Sequence, residues 1–358
     1  MSSTLTLGNI SLSIFGESHG PAIGAVIDNL PAGEELDIER IYKFMARRAP
    51  KKDGTSTMRS ETDTPEIISG FYNGKTTGEA LCAVIKNKDQ HSADYKSISE
   101  LARPGHADYT AFLRYNGSND PRGGGHFSGR LTAPLVFAGA VCEQMLEKRG
   151  ITTAAHIYSI AGENDRPFDP VNVNAEQLKL VKTRYLPVLD KNADEKMRSV
   201  IDRARNDLNS VGGIIECCAV GFPAGLGSPI YNGIENRVSQ LVFGIPAVKG
   251  IEFGIGFEAA AIYGSENNDE FYIENGEIKT RTNNSGGILG GISNGMPIIF
   301  RAAIKPTPSI ARPQNTVNFV KKENSVMEIK GRHDPCVVPR AVPCVEAALN
   351  VALMSFLV

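Results

Sequence analysis

A single α+β domain spanning residues 1–358 is the architecture this sequence predicts, on three observations. The N-terminal third reads as short strands joined by loops. Two later segments carry helical patterns of opposite kinds. Residues 213–262 alternate short apolar runs with glycines. Of the 358 residues 41% are hydrophobic and 22% charged, values that allow a large core and exclude a disordered or fibrous chain. No fixed-period repeat, low-complexity tract or obvious linker divides the sequence.

Each element follows from local pattern. Residues 22–27 form a compact apolar run closed by Asn29 and Pro31, a strand signal. Asp37 stands before a segment reaching Arg48 in which Ile38, Ile41, Phe44 and Met45 keep helical spacing. Residues 49–66 are polar and basic, contain Pro50 and Gly54, and predict an exposed loop; so long a stretch without hydrophobic period is usually mobile or functional. Residues 131–148 predict a helix. Pro134 fits its first turn, and Glu147, Lys148, Arg149 and Gly150 form a stop signal. Its apolar character on nearly every side predicts a central place in the core. Residues 193–208 predict a surface helix whose apolar stripe is Met197, Val200, Ile201, Ala204 and Leu208, and residues 213–262 predict further sheet. Residues 341–358 are the most apolar stretch. They hold Pro343, Glu346, Asn350 and Ser355 and are short for a membrane span, so they predict a buried terminal helix.

Composition narrows the function classes. Lys plus Arg is 38 and Asp plus Glu is 40, a formal net charge of -2, which argues against nucleic acid as the main partner. The six cysteines form no C-x-x-C pair, and most sit in apolar runs where a buried free thiol is expected. They predict a reducing, cytoplasmic setting. The first sixteen residues lack a basic region followed by an apolar block, so no secretory signal is visible, and no membrane association is expected.

Two motif matches fail on context. Gly16-Glu17-Ser18-His19-Gly20 fits the G-x-S-x-G nucleophile elbow, but such an elbow joins a central strand to a helix late in an α/β sheet, and at residue 18 no room for preceding strands is expected. His19, in a turn of small residues, is expected near solvent. Gly254 to Ala259 fits a loose dinucleotide pattern without room for the required helix, so a glycine-rich strand edge is expected. The P-loop pattern is absent.

Three segments resist dismissal. They are residues 103–110, beginning Arg103-Pro104-Gly105-His106; residues 122–130, where Gly123, Gly124 and Gly125 lead into the central helix; and residues 283–291, followed by Lys305-Pro306-Thr307-Pro308-Ser309. Glycines before a helix leave backbone N–H groups available to an anion, and lysine with hydroxyls suits a phosphate. Arg47, Arg48, Lys51, Lys52 and Arg59 cluster early, and Arg103, Arg122, Arg130, Arg332 and Arg340 lie near the glycine segments. In a neutral protein this points to a multiply charged small anion gripped by arginine forks.

With these residues in hand, the sequence resembles the chorismate synthase family over nearly its whole length. GESHG at 16–20, RPGHADYT at 103–110, GGG at 123–125, AVKGIE at 247–252, NNSGGILGGISNG at 283–295 and GRHDPCVVPRAVP at 331–343 stand in the family's order and approximate spacing. The resemblance implies a β-α-β sandwich, a homotetramer, and a lyase that converts 5-enolpyruvylshikimate 3-phosphate to chorismate and phosphate by anti-1,4-elimination. It implies a requirement for reduced FMN (FMNH2) without net redox change.

The resemblance also implies roles. His19 is the general acid for departing phosphate, His106 tunes the charge of the flavin, and Asp334 is a proton relay. Arg48, Arg59, Arg103 and Arg130 clamp the substrate or a flavin-reducing NADPH. His126, Phe127, Ser128, Gly290, Lys305, Pro306, Thr307, Pro308, Ser309 and Arg332 hold FMN. The run after the three glycines departs from the family's Arg-Ser-Ser-Ala-Arg-Glu, reading His126-Phe127-Ser128-Gly129-Arg130-Leu131, and Pro246 replaces a family Asn beside flavin. No added reductase-like segment is visible, so reduced flavin is expected from outside. Two alternatives stay open: an inactive flavin-binding homologue, and an FMN-dependent NAD(P)H oxidoreductase.

Overall fold

The computed structural model describes residues 3–49, 63–87, 100–329 and 334–358. Two five-stranded antiparallel sheets enclose a layer of helices. The first sheet is built from β1 (Thr4–Leu7), β2 (Ile10–Gly16), β3 (Ala22–Asp28), β4 (Glu66–Ser69) and, after the small hairpin β5 (Phe71–Tyr72) and β6 (Lys75–Thr76), β7 (Leu81–Lys86), in the order β1-β2-β3-β7-β4. The second takes β8 (Thr152–Ile160), β9 (Glu163–Asn164), β10 (Gly213–Val220), β11 (Val248–Phe253) and a later strand, β16 (Ile298–Ile304), in the order β11-β16-β10-β8-β9. Three further hairpins, β12 (Phe271–Glu274) with β13 (Glu277–Thr280), β14 (Ile288–Leu289) with β15 (Ile292–Ser293), and β17 (Gln314–Asn318) with β18 (Glu323–Met327), stand apart from the sheets.

The helices are α1 (Ile38–Ala46), α2 (Asp108–Arg114), α3 (Thr132–Glu147), α4 (Ala175–Lys182), α5 (Lys191–Asn206), α6 (Ile234–Phe243), α7 (Gly264–Asn267) and α8 (Val338–Met354). Helix α3 lies on β2, β3 and β7, α8 lies on β8 and β10, and the two pack on each other. Every residue from Thr132 to Leu146 is buried, as the uniformly apolar sequence predicted. At the crossing, a Cβ added to Gly139 would overlap Ala347, so glycine sets how closely the helices approach. Asn350 is satisfied there: its amide donates to the Gly139 carbonyl at 3.2 Å and its Oδ1 accepts from Thr153 at 2.6 Å. Glu346 of α8 is fully buried and paired. Arg47 donates both terminal nitrogens to it at 3.1 and 2.7 Å, and Lys182 lies 2.9 Å away.

The outer face of the second sheet carries a smaller core under α4, with Ala154, Phe168, Leu178, Val181, Cys218 and Ile299. Beside it His156 is enclosed between Asp165 at 3.2 Å and Glu216 at 2.9 Å, and Glu216 also accepts from Arg301 at 2.9 Å. Burial would lower the His156 pKa, but the two carboxylates outweigh it and raise it.

Several expectations need correction. Two strands, β1 and β2, do precede the G-x-S-x-G match at residues 16–20, but β2 ends at Gly16 and the turn leads into β3, so the helix a nucleophile elbow requires is not there. Residues 213–262 are not all sheet: α6 lies inside them, its buried Ile234, Val238, Leu241 and Val242 keeping helical spacing between glycines that read as strand ends. Leu208 is not part of the apolar stripe. It follows α5 in a left-handed conformation (φ 55°) and is exposed. Helix α1 stops at Ala46, two residues before Arg48. Residues 50–62 lie outside the described residues, and Asp63, expected in an exposed loop, is buried. Among the described residues no helix is long and apolar enough to cross a membrane.

Candidate functional site

A cavity of about 760 Å3 opens where the α3 entry, the 103–108 turn, the α6–β11 connection, the segment after β16 and the start of α8 meet. Its lining includes Arg48, Arg103, His106, His126, Phe127, Ser128, Arg130, Lys305, Thr307, Pro308, Ser309 and Asp334, residues drawn from opposite ends of the sequence. His19, Gly290 and Pro306 are not in the lining. Gly290 sits at the exposed tip of the β14–β15 hairpin, where φ values of 61° and 84° at Gly290 and Gly291 close the turn. Pro306 points to solvent, although its neighbours line the cavity. Arg59 and Arg332 lie outside the described residues.

His19 is 3% exposed, so the expectation of a solvent-near turn histidine is wrong. The reason is the glycine triplet. The His19 ring packs against Gly123, and the Cε1–Nε2 edge of His106 packs against Gly124; an added Cβ at Gly124 would stand 3.0 Å from His106 Nε2. Gly123, Gly124 and Gly125 adopt φ values of 60°, 87° and 53°, open to glycine and strained for other residues. Two consecutive glycines thus bring both imidazoles to one loop, and Gly123 itself lines the cavity.

The arginines are anchored by carboxylates, of which sequence reasoning singled out Asp334 but neither Asp63 nor Asp108. Arg48 donates Nη1–H to Asp63 at 2.6 Å, Nε–H to Thr132 at 2.8 Å and Nη2–H to the Gly129 carbonyl at 2.8 Å. Arg130 pairs with the other oxygen of Asp63 and donates Nε–H to Asn87 at 3.0 Å. Burial would raise the Asp63 pKa, but the two guanidinium groups hold it below the ordinary carboxylate value. Arg103 is held by Asp108, and Arg340 donates to Asp334 at 2.6 Å and to the Arg48 carbonyl at 3.1 Å. The only sequence signal for Asp108 is its place inside the 103–110 block; Asp63 has none, because both its partners lie elsewhere in sequence.

His126 is committed to structure. Its Nδ1 lies 2.9 Å from the Gly16 carbonyl, so it donates there, and its Nε2 accepts from Ser3 at 3.0 Å. It therefore ties the loop carrying His19 to the glycine triplet. Ser128 caps the short turn before α3 by accepting from Arg130 N at 3.3 Å. Lys305 donates to the Gly105 carbonyl and joins the 103–108 turn to the second sheet. Cys344 lines the cavity, but burial pushes its thiol pKa up and disfavours a thiolate. Ile245, Pro246, Ala247, Val248, Val337 and Ala341 supply an apolar wall. The arrangement can seat a flat apolar ring system beside a polyanion in a partly desolvated pocket.

Comparison with known proteins follows the same lines. A family model described as chorismate synthase matches residues 10–358. The chain is 44% identical over 366 aligned residues to a protein named chorismate synthase from Lancefieldella parvula, covering 99% of this chain and 96% of that one. It is 46% identical over 343 residues to a protein of the same name from Korarchaeum cryptofilum, covering 95% and 93%. A crystal structure of a chorismate synthase superposes with a TM-score of 0.76 at 30% identity, covering 98% of this chain and 92% of that one. The sandwich fold, the convergent cavity and these matches agree: the chain belongs to the chorismate synthase family.

Proposed function

We propose that this carbon–oxygen lyase, one domain over residues 1–358, acts in the cytoplasm as a homotetramer and performs its elimination in the cavity described above. There 5-enolpyruvylshikimate 3-phosphate loses a C–O bond to phosphate and a C–H bond, and one new double bond forms, so no electrons are gained or lost. The observation that carries this siting is charge. Among the described residues six cationic side chains, Arg48, Arg103, Arg130, Lys249, Lys305 and Arg340, line one cavity of a protein whose net charge is -2. A substrate with two carboxylates and a phosphate fits that excess, and fixed guanidinium groups bind it without reorganising. Exposed Phe257, Tyr263, Phe271, Ile273 and Ile278 support the oligomeric part.

The residues present fit reduced FMN as the cofactor. The apolar wall around Ile245 to Val248 suits the ring system, and Lys305, Thr307 and Ser309 suit its phosphate. Phe127, Ser128 and Pro308 shape the same seat; Arg332 enters on the resemblance alone, and Gly290 and Pro306 would need to act from outside the lining. When bound, reduced FMN would lend the substrate an electron that is returned before product leaves, chemistry no side chain offers. His19, outside the lining behind Gly123, would need to reach past that glycine to give a proton to the departing phosphate; Arg48, Arg103 and Arg130 hold the anionic groups with Arg59, and Asp334 moves a proton at its carboxylate under the control of Arg340.

The test is anaerobic phosphate release with a small amount of chemically reduced FMN. Many phosphates per flavin, with no further reductant consumed, are expected; NADPH with oxidised FMN should release none, since reduced flavin comes from outside. One reductant consumed per product would point instead to an oxidoreductase, and no phosphate to an inactive flavin-binding homologue.

A further inference from the structure

Asp108 opens α2 and does not line the main cavity. It lines a smaller one of about 180 Å3, and Arg103 and His106, with Ala107 and Phe127, line both cavities and so form the wall between them. The carboxylate takes four hydrogen bonds from that wall. Oδ2 accepts from Arg103 N at 3.0 Å and Arg103 Nε at 2.8 Å; Oδ1 accepts from Arg103 Nη2 at 2.7 Å and His106 Nδ1 at 2.9 Å. Burial would raise its pKa, but Arg103 and His106 outweigh burial and hold the carboxyl well below the usual range. An ionised carboxylate only accepts, so His106 Nδ1 must carry the proton toward it. The two donors converge on one oxygen, which sets Nη2 and Nδ1 3.1 Å apart. His106 Nε2, the nitrogen outside this cluster, is the one packed against Gly124.

We propose that Asp108 is a positioning residue that locks Arg103 and His106 as one unit, fixing the guanidinium for the substrate anion and the imidazole in its Nδ1–H form with Nε2 turned to the glycine loop. The proposal rests on the elimination described above, because it acts through two residues of that site. It makes a split demand on kinetics: the Arg103 arm governs substrate binding and the His106 arm governs turnover.

The test is Asp108→Asn in four combinations with His106→Ala, read as kcat and KM for phosphate release with reduced FMN. Asp108→Asn alone should lower kcat roughly 10- to 100-fold and raise KM severalfold. In the His106→Ala background it should leave kcat unchanged while still raising KM. An equal loss of kcat in both backgrounds, or no loss in either, overturns the proposal. If His106→Ala by itself leaves kcat untouched, the role of His106 fails instead. Should Asp108→Asn not fold, nitrogen NMR of the wild-type His106 ring decides: a proton on Nδ1 supports the unit and a bare Nδ1 overturns it.

Discussion

A residue's neighbours decide its chemistry, and here the deciding neighbours are glycines and carboxylates. Gly123 leaves space that the His19 ring fills, in a backbone conformation other residues adopt only with strain. Gly123→Ala is expected to cost about 1–3 kcal/mol in a urea titration. It should also reduce phosphate release more than that instability explains, with FMN still bound; unchanged turnover would detach His19 from the chemistry. What is legible in the sequence at this scale is the contiguous motif, because His19, His106 and Asp334 stand in recognisable blocks. What is not legible is pairing across the fold. Asp63 serves Arg48 and Arg130, and nothing near Asp63 in sequence announces it. The same blindness puts His19 near solvent, since a turn of small residues does not reveal what closes over it.

At the scale of elements, the helix layer is held by buried polar groups as well as by apolar packing. Glu346 joins α8 to Arg47 after α1 and to Lys182 at the end of α4. Burial would raise its pKa, but Arg47 and Lys182 outweigh burial and lower it to about 2. A depressed carboxylate contributes stability that is present above its unfolded pKa and lost as pH falls through the folded one. Glu346→Gln should therefore destabilise by about 3–5 kcal/mol near neutral pH by leaving Arg47 without its carboxylate and Lys182 with Glu143 alone. The gap to wild type should narrow as pH drops below the ordinary carboxylate range, and urea titrations across pH measure it; a gap independent of pH would contradict the pairing. Strong hydrophobic patterns make α3, α5 and α8 legible in the sequence. Helix α6 escapes that reading because it is short and bounded by Gly233 and Gly244, which read as turns between strands. The spacing of its Ile234, Val238, Leu241 and Val242 is the signal that could have found it.

Over the whole molecule, charge is segregated rather than abundant. Net charge is -2, yet six cations line one cavity, with Asp334 the acidic member of the described lining. Field lines focused by such a cleft raise the local concentration of an anionic substrate, so KM should rise with ionic strength as screening sets in. Composition alone hides this, because it averages over the surface; only the fold brings residues 48, 103, 130, 305 and 340 together. The most direct test is a crystal structure of the chain with oxidised FMN and 5-enolpyruvylshikimate 3-phosphate. Both ligands are expected in the cavity bounded by His106, Arg130, Ile245, Lys305 and Asp334, with the substrate's anionic groups on the arginines. Flavin bound elsewhere, or substrate out of reach of Arg48, Arg103 and Arg130, would contradict it.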